Sequence, residues 1–264
     1  MLQHVGAELS AHETITAEQE NWGSLAQLAA EYETIAAAAQ RDRWATLIRA
    51  SGLTAEQADA AIESEAFGAL TAELRRAEAN HHDLDTLFPR LVAARVFTDA
   101  DDIASVLHYR VARAIARPAG SGRTRKTPRL IAGLIPSADG PMTDDMRQAL
   151  DGRREMIKAR ADAVLDTARE AGKAWTRSLG EPPRDPRKAG VWRRSARTIA
   201  AYRDRYGITD ETAIGPPAEA EAQRIDRARA AAALTHVRDQ DRARRDGQAA
   251  PQRSITVERE GRVL

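Results

Sequence analysis

The sequence predicts an all-α protein: a helical bundle, a basic linker rich in proline and glycine, and then further long helices. Three observations carry that reading. Aromatic residues make up only 4% of the 264 residues while Ala, Leu, Ile and Val are plentiful, a composition suited to helices packed closely through small side chains. Apolar residues recur at spacings of three and four, the period of one helical face. Ser, Thr or Asp stands at the head of most of these periodic runs, where a side-chain oxygen can satisfy the unpaired N–H groups of a first turn.

Taken in order, Thr16-Ala-Glu-Gln opens a short helical turn, and Ser24-Leu-Ala-Gln27 opens a long helix over roughly Leu25 to Arg49. Its apolar positions are Leu25, Leu28, Tyr32, Ile35, Trp44, Leu47 and Ile48, and Gly52 stops it. Thr54-Ala-Glu-Gln57 caps a third helix with Ala58, Ala61 and Ile62 inside. Leu70, Leu74 and Ala77 mark a fourth, and Leu84, Leu87, Leu91 and Val92 a fifth, which Pro89 kinks or opens. Thr98-Asp-Ala-Asp leads into a sixth with Ile103, Val106, Leu107, Tyr109, Val111 and Ile115. Residues 1–116 thus read as one acidic helical bundle.

The period fails over residues 117–141, where prolines, glycines and basic residues predict a linker. Its apolar run Leu130 to Ile135 can dock on a neighbouring element. Thr143-Asp-Asp-Met restarts helix, with Met146, Leu150, Met156, Ile157, Val164 and Leu165 as its seam to about Gly172. From Asp185 a further helix is capped, with Pro186 at its first position and Gly207 after its last turn. Trp192, Ala196, Ile199, Tyr202 and Tyr206 form one stripe on it, so a basic helical segment fills 142–215. A weakly anchored alanine- and arginine-rich helix, 216–245, and a disordered tail, 246–264, complete the chain.

Charge divides the same way. Lysines plus arginines number 9 against 18 acidic residues in 1–116, 21 against 11 in 117–209, and 10 against 10 thereafter. Such asymmetry suits an anionic partner for the middle block, or an acidic half that screens it. Arginine and alanine dominance, with only four lysines (Lys126, Lys158, Lys173, Lys188), is also what a high-GC genome produces.

Motifs for catalysis are weak. Gly120-Ser-Gly-Arg-Thr-Arg-Lys126-Thr127 resembles a phosphate-binding loop, but arginine replaces its second glycine and Pro128 follows where a helix should start. His81-His82-Asp83 offers metal-ligand chemistry, yet adjacent side chains diverge and no histidine pair has helical ligand spacing. No G-x-S-x-G elbow occurs. With no cysteine, disulfides and thiolate metal sites are excluded. No catalytic, cofactor or metal site is therefore expected. The sequence shows neither a signal-peptide pattern nor an apolar run near the ~18 residues of a membrane span, so a cytoplasmic protein without membrane insertion is expected. Trp192, Tyr202 and Tyr206 could stack on unpaired bases, but their shared stripe favours packing.

The string WRRSARTIAAYRDRYGITD, Trp192 to Asp210, followed by Gly215-Pro-Pro, resembles the C-terminal region of actinobacterial conjugative relaxases of the MobF (TrwC/TraA-like) class. GAELSAHETI, AQLAAEYETIAAAAQRDRW, EAFGALTAELRRAEANHHDLD, ARPAGSGRTRKTPRLIAGLIP and GPMTDDMRQALDGRR resemble the same region in the same order, so the likeness spans Gly6 to about Arg229. The full-length family nicks one plasmid strand with a tyrosine beside a metal and unwinds DNA with an ATP-dependent helicase. Those motifs are absent here, so the resemblance implies a noncatalytic module of conjugative DNA transfer, encoded by a truncated gene, a separate frame or a fragment.

Expected partners are DNA, single-stranded in the first instance, and relaxosome or secretion coupling proteins. The expected DNA contacts are Arg123, Arg125, Lys126, Arg129, Arg193, Arg194 and Arg197. The alternative is a structural or oligomerising helical module with no direct DNA contact.

Overall fold

The computed structural model describes residues 23–116 and 126–249, with side chains to Arg244. The turn expected at Thr16 and residues 250–264 lie outside them. The fold is all-α: the described residues form eight α-helices, one 3-10 helix and a two-stranded hairpin. The helices are α1 (Leu25–Arg49), α2 (Ala55–Glu63), α3 (Phe67–Ala79), α4 (Leu84–Ala93), α5 (Ile103–Ile115), α6 (Asp144–Glu170), α7 (Pro186–Arg205) and α8 (Glu221–Ala249). Between α5 and α6 lie β1 (Leu130–Ile131) and β2 (Ile135–Pro136), and the 3-10 turn is Ala174–Leu179.

Local chemistry sets most helix ends. Ser24 accepts from the Gln27 N–H at the head of α1, Thr54 and Gln57 close a reciprocal box on α2, and Thr143 caps α6 with Asp144 and Asp145 in its first turn. Asp185 caps α7. The helix ends in a six-to-one bond from the Ile208 N–H to the Arg203 carbonyl (2.9 Å) around Gly207 at φ +58°, a conformation glycine adopts without strain. The same bond closes α3, from the His82 N–H to Ala77 O at 3.0 Å, with His81 at φ +64°. The His81-His82-Asp83 string is thus a helix terminator: His81 Nε2 donates to Thr127 O at 2.7 Å.

Packing does not follow the expected division at residue 116. The C-terminal half of α1, through Trp44 and Ile48, packs with α2 to α5 around Leu70, Leu74, Phe88, Leu107 and Val111. Its N-terminal half, through Leu25, Leu28, Tyr32 and Ala36, instead joins Ile131, Leu134 and Ile135 of the hairpin, Leu150 and Ile157 of α6, and Tyr202 of α7. A third cluster gathers Leu165, Trp175, Leu179, Trp192, Ile199, Leu234 and Val237. At ~1.5 Å per residue α1 is long enough to serve two cores, and it ties the acidic half to the basic half.

The expected linker also contains built structure. Ile131 pairs with Ile135 and Leu130 with Pro136, around a tight turn in which Ala132 and Gly133 both have positive φ. The hairpin is held to α1 by the Ala138 N–H donating to Tyr32 Oη (2.8 Å), and by Gln40 Nε2 and Arg43 Nη1 donating to Asp139 O at 2.7 and 2.9 Å. It reaches α3 through the Arg129 N–H, which donates to Ala79 O at 2.8 Å. An apolar run flanked by prolines leaves the helical period yet can still bury three large aliphatic side chains, and burial of that kind outweighs the ordering cost of a short hairpin.

Candidate nucleic-acid interface

The proposed DNA contacts divide into different fates. Arg123 and Arg125 lie outside the described residues, as does all of the glycine-rich string before Lys126. Lys126 is exposed. Arg129 is turned back on the protein, pairing with Asp139 at 3.3 Å and donating to Glu78 O at 3.2 Å.

Arg193 and Arg197 face α6. Arg193 donates to both oxygens of Asp166 (3.0 and 2.7 Å) and to Asp162 at 3.1 Å, and Arg197 pairs with Asp162 at 2.6 Å. Lower down, Arg160 Nε and Nη2 reach Asp204 at 3.0 and 2.7 Å. The order of these pairs shows that α6 and α7 run antiparallel. The hydrogen bond to Asp166 raises the Arg193 pKa, and the Arg193 contact holds the Asp166 carboxyl below its ordinary value. Each bond stabilises the charged form of its partner. This corrects the expectation that both arginines lie open to an anionic ligand, because carboxylates one helical turn apart on α6 neutralise them.

Arg194 is different: it is exposed and has no ion pair among the described residues. Arg187, about two turns earlier on the same side of α7, is exposed in the same way, and so are Lys188 next to it and Arg184 just before the helix. The first turn of α7 contains no acidic residue, so these cations stand at the positive end of the helix dipole. The outward basic strip is therefore Arg184, Arg187, Lys188 and Arg194. Three of these four were not singled out from sequence. The available signal was the Asp162/Asp166 pair at i, i+4, able to quench one arginine sector and leave the neighbouring sector unpaired.

The aromatic stripe is interior. Tyr202 is 0% exposed and Trp192 is buried with its Nε1 donating to Leu179 O at 3.0 Å, so neither offers a face to a base. Tyr206 donates to Asp226 at 2.9 Å, and burial together with that carboxylate raises its pKa. Arg203 lies in the same layer. Its guanidinium donates to the carbonyls of Thr212 (2.5 Å), Ile208 (2.9 Å), Asp210 (2.6 Å) and Ala213 (3.3 Å), and it stacks over Trp175 at 4.9 Å. Asp204 accepts the Leu25 N–H at 2.8 Å, satisfying the front of α1 from 179 residues away. Arg205 pairs with Glu33 and Asp226 at 3.2 and 3.3 Å. The run from Tyr202 to Tyr206 thus joins α1, α6 and α8 to α7.

Among the described residues no group of three or more His, Asp or Glu side chains is placed to hold a metal ion, and no helix is long and apolar enough to cross a membrane. Compared with family models, with curated proteins and with solved structures, the chain matches none.

Proposed function

We propose that this chain is a noncatalytic helical module that holds nucleic-acid phosphates, DNA in the first instance, on the outward strip of α7. Its setting is the one the sequence resemblance implies, the C-terminal region of a MobF-class conjugative relaxase, where it contributes to DNA retention and to recruiting transfer partners. The observation that supports the reading best is the contrast within one helix. Arg193 and Arg197 are paired with carboxylates, whereas Arg187, Lys188 and Arg194 are exposed without them.

Phosphate neutralisation by such cations is salt-dependent, each single-strand contact adding about 0.7 to the slope of log affinity against log salt. The full chain is expected to bind a single-stranded oligonucleotide at low salt with a slope of about 2–3. Reversing Arg187, Lys188 and Arg194 to glutamate should abolish binding. Absence of binding by the wild type at low salt, or unchanged binding by the triple variant, would sink the proposal. A second reading, self-association, is favoured by the exposed Met146 and Met156 on α6. A concentration-dependent mass in light scattering, unaffected by the triple reversal, would support it.

A further inference from the structure

A second surface of interest lies in the half of the chain that its composition marks as acidic. On α5 the buried positions are Ala104, Leu107 and Val111, so the opposite stripe, Ser105, Tyr109 and Arg113, faces outward. Tyr109 is 61% exposed, and its hydroxyl accepts from Arg113 Nη1 at 3.1 Å. Beside it Arg110 stacks over Phe97 at 4.5 Å and donates to the carbonyls of Leu91 (2.8 Å) and Arg95 (3.1 Å). That arrangement fixes the end of α4 against α5 and presents Arg95 and Val96, the latter 79% exposed.

Arg90, Arg95, Arg110 and Arg113 form no ion pair with a carboxylate among the described residues, in contrast to Arg43, Arg49 and Arg76 of the same half. The acidic residues of this region, Asp99, Asp101 and Asp102, gather at the other end, before the first turn of α5. The surface is polarised away from those carboxylates, toward the C-terminus of α5.

We infer that Tyr109, with Arg113 on its hydroxyl and Arg110 next to it in the helix, is a base-stacking platform for single-stranded nucleic acid, a second contact separate from the phosphate strip of α7. The inference rests on the nucleic-acid reading above and adds to it a contact made with bases. An exposed aromatic ring beside arginines without carboxylate partners combines the two elements by which proteins hold single strands independently of sequence. A protein partner would call for a contiguous apolar patch, and Tyr109 and Val96 are the only exposed large apolar side chains of this half among the described residues.

The test uses the full chain with two fluorescent strands of equal length, oligo-dT and an abasic strand with the same phosphates. Wild type should prefer oligo-dT by roughly fivefold or more, the loss expected when one stacked base is removed. Tyr109→Ala should erase that preference with the salt slope kept, and Tyr109→Phe should retain it. Oligo-dT carrying 4-thiothymidine should crosslink to Tyr109. Equal affinity of wild type for both strands, or a base preference that survives Tyr109→Ala, overturns the stacking site while leaving the α7 strip standing. Absence of binding to either strand overturns both, and binding of an acidic peptide in place of either strand redirects this surface to a protein partner.

Discussion

Arg193 grips Asp166 through two parallel N–H···O bonds of 3.0 and 2.7 Å, the fork geometry in which a guanidinium matches a carboxylate. Asp162 completes the arrangement by taking Arg193 and Arg197 together. The same carboxylates that pin α6 to α7 withdraw two arginines from any outside ligand.

Removing those carboxylates should act in opposite directions on stability and on binding. Asp162→Asn and Asp166→Asn are each expected to cost about 0.5–1 kcal/mol in urea unfolding, a modest figure because the pairs are partly exposed. The double variant should bind single-stranded DNA several-fold more tightly, since up to two further phosphates can be neutralised. A double variant that loses stability without gaining affinity would show that this sector of α7 never reaches nucleic acid.

Acid should weaken the same contact. The hydrogen bond from Arg193 depresses the Asp166 carboxyl below its ordinary value near 3.8. Its contribution is therefore fully present above that value and disappears as pH falls through the lower folded value. Urea midpoints should show no Asp166-dependent change between about pH 5 and 7 and should fall below about pH 4. Asp166→Asn should flatten that acid limb, and an unaltered limb would assign it to other carboxylates.

Arg203 organises the segment after α7 by donating to four of its carbonyls while stacking on Trp175. Arg203→Met keeps much of the stem and leaves those acceptors without their donor. A loss of about 2–4 kcal/mol is expected, from one buried and three part-buried acceptors at up to ~1–3 kcal/mol each with partial relaxation. Arg203→Lys should recover only part of it, because a point ammonium cannot address four separated acceptors. Thermal unfolding of the two variants measures the difference.

Gly133 and Gly207 separate two costs of a missing Cβ. Both have positive φ, but a Cβ at Gly133 would lie 2.1 Å from Thr198 Oγ1, while one at Gly207 meets nothing within 4 Å. Gly207→Ala should cost about 1 kcal/mol of backbone strain. Gly133→Ala should cost more, by a further 1–3 kcal/mol or so for overpacking where the hairpin meets α7. Adding Thr198→Ala to Gly133→Ala should recover part of that excess, and equal losses at the two glycines would contradict the close approach.

Short-range chemistry carried much of the fold. Ser24 and Thr54 at helix heads, Gly207 at a helix end, and the stripe of Trp192, Ile199 and Tyr202 all act within a few residues, so they can be read directly from the chain. The bounds of α1, Leu25–Arg49, follow from such signals. Other features depend on partners far away. The apolar run in the proline- and glycine-rich stretch becomes a buried hairpin because Tyr32, about a hundred residues earlier, receives the Ala138 N–H.

The candidate site shows the same division more sharply. Composition marks 117–209 as basic and places several arginines off the apolar stripe of α7, and any sequence of this kind would reveal that much. Which arginines stay available is a property of distances. Asp162 and Asp166 lie 27 to 35 residues before the two arginines they neutralise, and only antiparallel packing of α6 on α7 brings them to about 3 Å. Charge counts add along a chain, whereas Coulomb interaction and hydrogen bonding fall off over a few ångströms and depend on direction. The chain therefore declares its helices and its charge, and the packing of α6 against α7 decides which charges remain open to a partner.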